Sequence, residues 1–178
     1  MPSALLIIDV QHALCCGDDA AFDIEAVIQR INSVSAKARA AGAPVILIQH
    51  EDAGALQHGT DGWQLDARLQ LQDTDQRVRK TTCDSFRHTD LQDLLASHGV
   101  DRLVVCGLQS EFCVDTTVRA ALARGYPVTL VADGHSTVDN GVLSAAQIAA
   151  HHNTTLANLG SFGPRVTAIP AAEVRLSA

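Results

Sequence analysis

Apolar residues fall along this chain in two rhythms. Four short runs are almost continuously apolar: residues 4–8, 44–48, 103–105 and 128–131, the last following the Gly125–Tyr126 turn. Runs this short and unbroken predict strands covered on both faces, as in a parallel sheet. A weaker strand is predicted near residues 77–79, and a late edge strand within 168–176. The second rhythm is helical. Residues 23–40 carry Ile24, Val27, Ile28, Ile31, Val34 and Ala38 on one face, and Gly42 stops the pattern. Residues 89–97 carry Leu91, Leu94 and Leu95 and end at His98–Gly99. A third helix is predicted over 113–123, opening straight out of a loop, and a fourth over 144–159 with Ser144 as its cap.

Strand and helix alternate throughout, which predicts an α/β fold: a three-layer α/β/α sandwich around a mainly parallel central sheet. Residues 51–75 form a loop unusually long for such a fold, a common place for a site. No repeat, linker or low-complexity tract interrupts the chain, so one domain over 1–178 is the simplest division.

Composition narrows the function. With 178 residues and 47% hydrophobic content, the chain can bury a sizeable core. No apolar run approaches the roughly 18 residues of a membrane span. The opening MPSALLIIDV lacks a basic leader and a cleavage site, so it reads as the first strand, not a signal peptide. The net charge is −7 and the basic residues are scattered, RVRK at 77–80 excepted, which argues against nucleic acid as a partner. Five cysteines, an odd count with no C-x-x-C pair, suggest free thiols in a reducing compartment; a cytoplasmic location is expected. Eight histidines make no H-E-x-x-H or zinc spacing, and His50, Glu51 and His58 are too loosely spaced for a metal site.

Open α/β sheets bind ligands beyond the carboxyl ends of their strands. The polar residues expected there are Asp9, Gln49 and His50, Lys80, the stretch 106–113, and Asp133, His135 and Ser136. A cysteine opening a helix, as Cys113 would, has its thiolate stabilised by free N–H groups and the helix dipole. The alternative is a small core residue, which is usual for free cysteine. Asp9 ends an apolar strand, where a carboxylate needs a partner; it could take and return a proton. Lys80 could stabilise negative charge beside it. Trp63 in the long loop could roof a pocket, Phe86 likewise, and His135 could touch substrate.

These residues stand in a recognisable order. LLIIDVQ at 5–11, PVILIQH at 44–50, RKTTCDSFRHTDL at 79–91, VVCGLQSEFCVDTTVRAAL at 104–122 and VTLVADGHSTVD at 128–139 together resemble the isochorismatase-like cysteine hydrolase superfamily. The resemblance implies a triad: Cys113 as nucleophile, Asp9 as general base and acid, Lys80 as supporting cation. It implies a non-proline cis peptide between Leu108 and Gln109, and an oxyanion hole from the N–H groups of Gln109 and Cys113. The substrate would be a small molecule, with Gln11, His50, Trp63, Phe86, Leu108, Ser110 and His135 around it. No cofactor is expected, and relatives suggest a homo-oligomer, dimer or tetramer. Members cleave amides such as nicotinamide, ureidoacrylate-type and carbamoyl compounds, whereas isochorismatases proper cleave a vinyl ether; a catalytically silent member is a third possibility. Three departures matter. Gln49-His50-Glu51 replaces the Asp-x-His metal motif of nicotinamidases, Ser110 replaces a threonine, and Leu14-Cys15-Cys16 stands where an aromatic is common.

Overall fold

The computed structural model describes residues 1–178. Six strands form one sheet: β1 (Ser3–Ile8), β2 (Val45–His50), β3 (Gln76–Lys80), β4 (Arg102–Leu108), β5 (Val128–Ser136) and β6 (Val166–Ile169). Their spatial order is β3-β2-β1-β4-β5-β6 and every neighbouring pair is parallel. The order reverses between β1 and β4, so the crevice beyond their carboxyl ends is the topological switch point where open sheets bind ligands. Asp9 follows one of these strands and Gln109 the other.

Alternation along each strand divides the core. From β1, Leu6 and Ile8 face one side with Ile46, Ile48 and Val105, and pack against Leu91 and Leu95 of α3 (Leu91–Ser97), Val118 and Leu122 of α4 (Asp115–Ala123) and Leu156 of α5 (Ala145–Ala157). Leu5 and Ile7 face the other side with Leu47 and Val104, against Val27, Ile28, Ile31, Val34 and Ala38 of α2 (Ile24–Ala40). These α2 residues belong to the apolar stripe seen in the sequence, and each valine or isoleucine among them contributes roughly 1.5–3 kcal/mol on full burial. Ser144 caps α5 as expected, in a reciprocal box with Gln147. No helix is long and apolar enough to cross a membrane.

Three local expectations change. The last strand is Val166–Ile169, only overlapping the predicted segment; Pro170 then removes a backbone donor and a short 3₁₀ turn, Ala171–Glu173, carries the chain under α2. A single-turn helix, α1 (His12–Cys15), occupies what reads as loop after β1. Finally, α4 begins at Asp115, and Cys113 sits in a wide turn before it, Ser110–Val114, where the Val114 N–H reaches back five residues to the Gln109 carbonyl.

Candidate active site

Asp9 leaves β1 with φ at +51°, a left-handed turn that aspartate tolerates better than most residues. Its N–H still bonds the Ile48 carbonyl on β2 at 2.9 Å, which anchors the turn. Lys80 is the last residue of β3, level with His50 on β2. Lys80 is one of the largest fully buried side chains in the molecule, and Asp9 is equally buried. A buried ammonium must spend its donors on partners. Lys80 Nζ lies 2.7 Å from Asp9 Oδ2, 3.1 Å from Cys113 Sγ and 3.1 Å from His50 Nδ1. Because an ammonium only donates, His50 Nδ1 must be the bare, accepting nitrogen.

The electrostatics follow from this packing. Burial alone would lower Lys80, but Asp9 and Cys113 beside it raise it. Burial, then the Asp9 carboxylate, push the Cys113 thiol up, and Lys80 offsets only part of that. Burial and Lys80 both lower His50. Asp9 Oδ1 is buried and accepts no hydrogen bond. Ligand atoms of Asp9, His50 and Cys113 fall within 4.8 Å of one another, the spacing of a metal site, but the Lys80 cation already sits against all three. A second grouping, His12, Cys16 and Asp66, has similar spacing, with the Asp66 carboxylate held by Arg68 at 2.7 and 2.8 Å.

The loop bearing Cys113 depends on Gly107. Its φ is +116°, and a Cβ there would lie 2.1 Å from the Ile8 carbonyl oxygen, so only glycine lets β4 pass β1 this closely. The Leu108–Gln109 peptide is cis. The Gln109 N–H donates to no protein acceptor, while the Gln109 carbonyl accepts from the Phe112 and Val114 N–H groups.

The remaining residues singled out in the sequence divide between the cluster and its supports. His50 is in the cluster and half-buried. Gln11 is a clamp: its Nε2 donates to the His50 and Trp63 carbonyls and its Oε1 accepts from the His50 N–H. Trp63 is held through that carbonyl by Gln49 as well, and its ring packs edge-on against His58 at 4.5 Å. Phe86 lies in the core, with Tyr126 at 6.3 Å and the Arg124 guanidinium over its ring. Leu108 is buried on the α2 face of the sheet. Ser110 and His135 are buried and bonded to each other. The structure therefore brings together Asp9, His50, Lys80 and Cys113, and places Gln11, Phe86, Leu108, Ser110 and His135 around or beneath them. Sequence reasoning gave no role to Asn153, which joins His135 from α5. A polar residue inside a helix pattern carries no mark of its partner. An open recess of about 610 Å³, lined by Glu51, Asp52, Ala53, Gln57, His58 and Thr81, begins one residue beyond His50 and Lys80.

Comparison with known proteins is consistent across sequence and structure. The Isochorismatase domain family model matches residues 3–167. Streptothricin hydrolase sequences from Streptomyces noursei are 42% identical over 138 residues, covering 76% of this chain and 55% of theirs, and 36% identical over 176 residues, covering 94% and 64%. The chain thus spans less than two thirds of the length of these relatives. A crystal structure of an isochorismatase family protein superposes with a TM-score of 0.87 at 40% identity, covering 94% of this chain and 97% of the other.

Proposed function

The chain belongs to the isochorismatase family, and from that membership and the cluster around Lys80 we propose that it is a cysteine hydrolase, cleaving a small amide, ureide or N-carbamoyl compound through a thioester on Cys113. The observation that carries the proposal is one ammonium bonded to both a carboxylate and a thiol in a buried site.

In the proposed reaction Asp9 takes the Cys113 proton as sulfur attacks the substrate carbonyl. Lys80 stabilises the thiolate as it forms. The N–H groups of Gln109 and Cys113 hold the oxyanion. As the C–N bond breaks, Asp9 returns its proton to the departing nitrogen, leaving the acyl group on sulfur. Asp9 then deprotonates a water that attacks the thioester, and the departing thiolate recovers the proton. A neutral thiol beside a carboxylate is the resting pair this scheme requires, and the upward push on Cys113 supports it.

The test is a panel of amides, ureides, N-carbamoyl compounds and streptothricin, the compound named in the relatives above, with Cys113→Ala as control and intact-mass detection of trapped enzyme. An acyl increment on Cys113 is expected with the true substrate. Vinyl ether cleavage would need no such adduct, and full turnover by Cys113→Ala would remove the scheme. We propose in addition that the working form is a cytoplasmic homo-oligomer, dimer or tetramer. The exposed side chains Phe112 and Val142 offer it apolar surface, and light scattering checks the assembly.

A further inference from the structure

Behind the nucleophile loop a chain of hydrogen bonds runs from α5 to Ser110. Ser110 Oγ lies 2.8 Å from His135 Nδ1, His135 Nε2 lies 3.0 Å from Asn153 Oδ1, and Asn153 Nδ2 donates to the Ala132 carbonyl at 2.9 Å. The last bond orients the others. A carbonyl only accepts, so the amide nitrogen of Asn153 must face Ala132 and its oxygen must face the imidazole. That oxygen only accepts, so His135 carries its proton on Nε2. Burial lowers His135 and keeps the ring neutral, so Nδ1 is an acceptor and the Ser110 hydroxyl is the donor. Each member has one role, and both ring nitrogens are engaged within the protein.

This chain exists because β5 departs from its register. Between the pairs Val105–Leu130 and Gly107–His135, β5 takes three more steps than β4, and the detour delivers His135 beside Gly107 at the root of the loop. Ser110 opens the wide turn that ends in Cys113 and Val114, and it is completely buried. The Gln109 carbonyl on its other side is already fixed by two N–H groups.

We propose that His135 and Asn153 are positioning residues: through Ser110 they lock the 109–113 loop so that the Gln109 N–H and the Cys113 thiol address the same substrate carbonyl. The inference rests on Cys113 being the nucleophile. It turns His135 from a substrate contact into a support, and adds Asn153, in the third turn of α5, to the apparatus. Positioning of this kind acts on the chemical step more than on ground-state binding.

The first measurement is nitrogen-15 NMR of the wild-type histidines. A resting His135 protonated on Nε2, with a bare Nδ1 whose resonance moves in Ser110→Ala, is expected; protonation on Nδ1 overturns the proposal. The second compares Ser110→Ala, Ser110→Thr and Asn153→Leu. Ser110→Ala and Asn153→Leu should lower kcat about tenfold to a hundredfold with KM little changed, and slow alkylation of Cys113. Ser110→Thr, which keeps the hydroxyl, should recover most of the loss. Unchanged kcat and alkylation in both Ser110→Ala and Asn153→Leu would overturn the relay. Failure of the nucleophile assignment itself is separate: it shows as turnover in Cys113→Ala, whereas tautomer and alkylation are read without turnover.

Discussion

Replacing Asp9 by asparagine should make Cys113 easier to ionise and the enzyme slower, and the two effects together test how the cluster works. In the wild type, burial and Asp9 push the thiol up while Lys80, 3.1 Å away, pulls it down. Asparagine keeps the shape of Asp9 and removes its charge. The ligand atoms of Asp9 and Cys113 are no more than 4.8 Å apart. At an effective dielectric of about 20, two unit charges at that distance interact by about 3.5 kcal/mol, or about 2.5 pH units. Water entry and relaxation reduce such figures, so a fall of about 1–2 pH units in the thiol titration is the working expectation. Lys80 reinforces it, because a lysine released from Asp9 is left with the thiolate as its strongest partner.

The assay is the pH dependence of iodoacetamide alkylation, with Cys113→Ala in each background to subtract the other thiols. Cys15 and Cys106 add little: both are buried, and burial first, then Asp66, pushes Cys15 up to about 12. The half-buried Cys16 and Cys83 make the subtraction necessary. Alkylation of Asp9→Asn near neutrality should rise as its turnover falls by about a hundredfold or more, the loss expected for a missing general base. A titration unmoved or shifted upward would show that Asp9 does not face the thiol, and the proton-transfer scheme would fall with it.

Three other outcomes follow from the packing. Lys80→Met should cost about 3–5 kcal/mol in urea unfolding, since it strands Asp9 in the core, whereas Asp9→Leu with Lys80→Met should recover most of that loss; equal or greater loss in the double variant would mean that the pair itself stabilises the fold. Gly107→Ala should cost about 3 kcal/mol or more, through its positive φ and the contact with the Ile8 carbonyl, and near-wild-type stability would contradict the described path of β4. Burial works against the Asp66 carboxylate, yet Arg68 holds it below its usual range, so its contribution is full above the unfolded-state pKa and is lost as pH falls through the folded one. Asp66→Asn should therefore lose about 1–2 kcal/mol at neutral pH and converge on the wild type in acid, and a gap independent of pH would count against the ion pair.

The sheet was legible because parallel strands buried on both faces advertise themselves as unbroken apolar runs, as 4–8 and 44–48 do. Asp9 stood out for the same reason, because it closes such a run; Lys80 closes β3, whose alternating QRVRK pattern is a weaker signal. The wide turn at Ser110–Val114 and the single turn of α1 were not legible, since four or five residues hold no period. Nor does a sequence say which way a strand-end side chain points. Gln11 reads as a pocket residue but spends its amide on the backbone of His50 and Trp63. His135 reads as a substrate contact because it follows an apolar strand, but the displaced register of β5 commits it to Ser110 and Asn153. Both sets of partners are long-range hydrogen bonds, which leave no local pattern.

Departures from ordinary chain behaviour gather at one end of the sheet. Asp9 adopts a left-handed backbone, Gly107 is required by contact with Ile8, and β5 breaks register beside it. A lysine and an aspartate are buried as an ion pair, an arrangement that well-packed apolar residues often match or exceed in stability. The apolar strands behind them show no such exceptions and supply the burial that tolerates them. Stability alone gives no reason for these features to converge. Chemistry at a thiol does: the lysine offsets the thiolate's charge, the carboxylate has a lone pair for its proton, and the low-polarity setting makes both interactions stronger than they would be in water. In the proposed mechanism, the same burial that raises the thiol at rest makes Lys80 and Asp9 effective once substrate is engaged, and the scheme needs them as a pair.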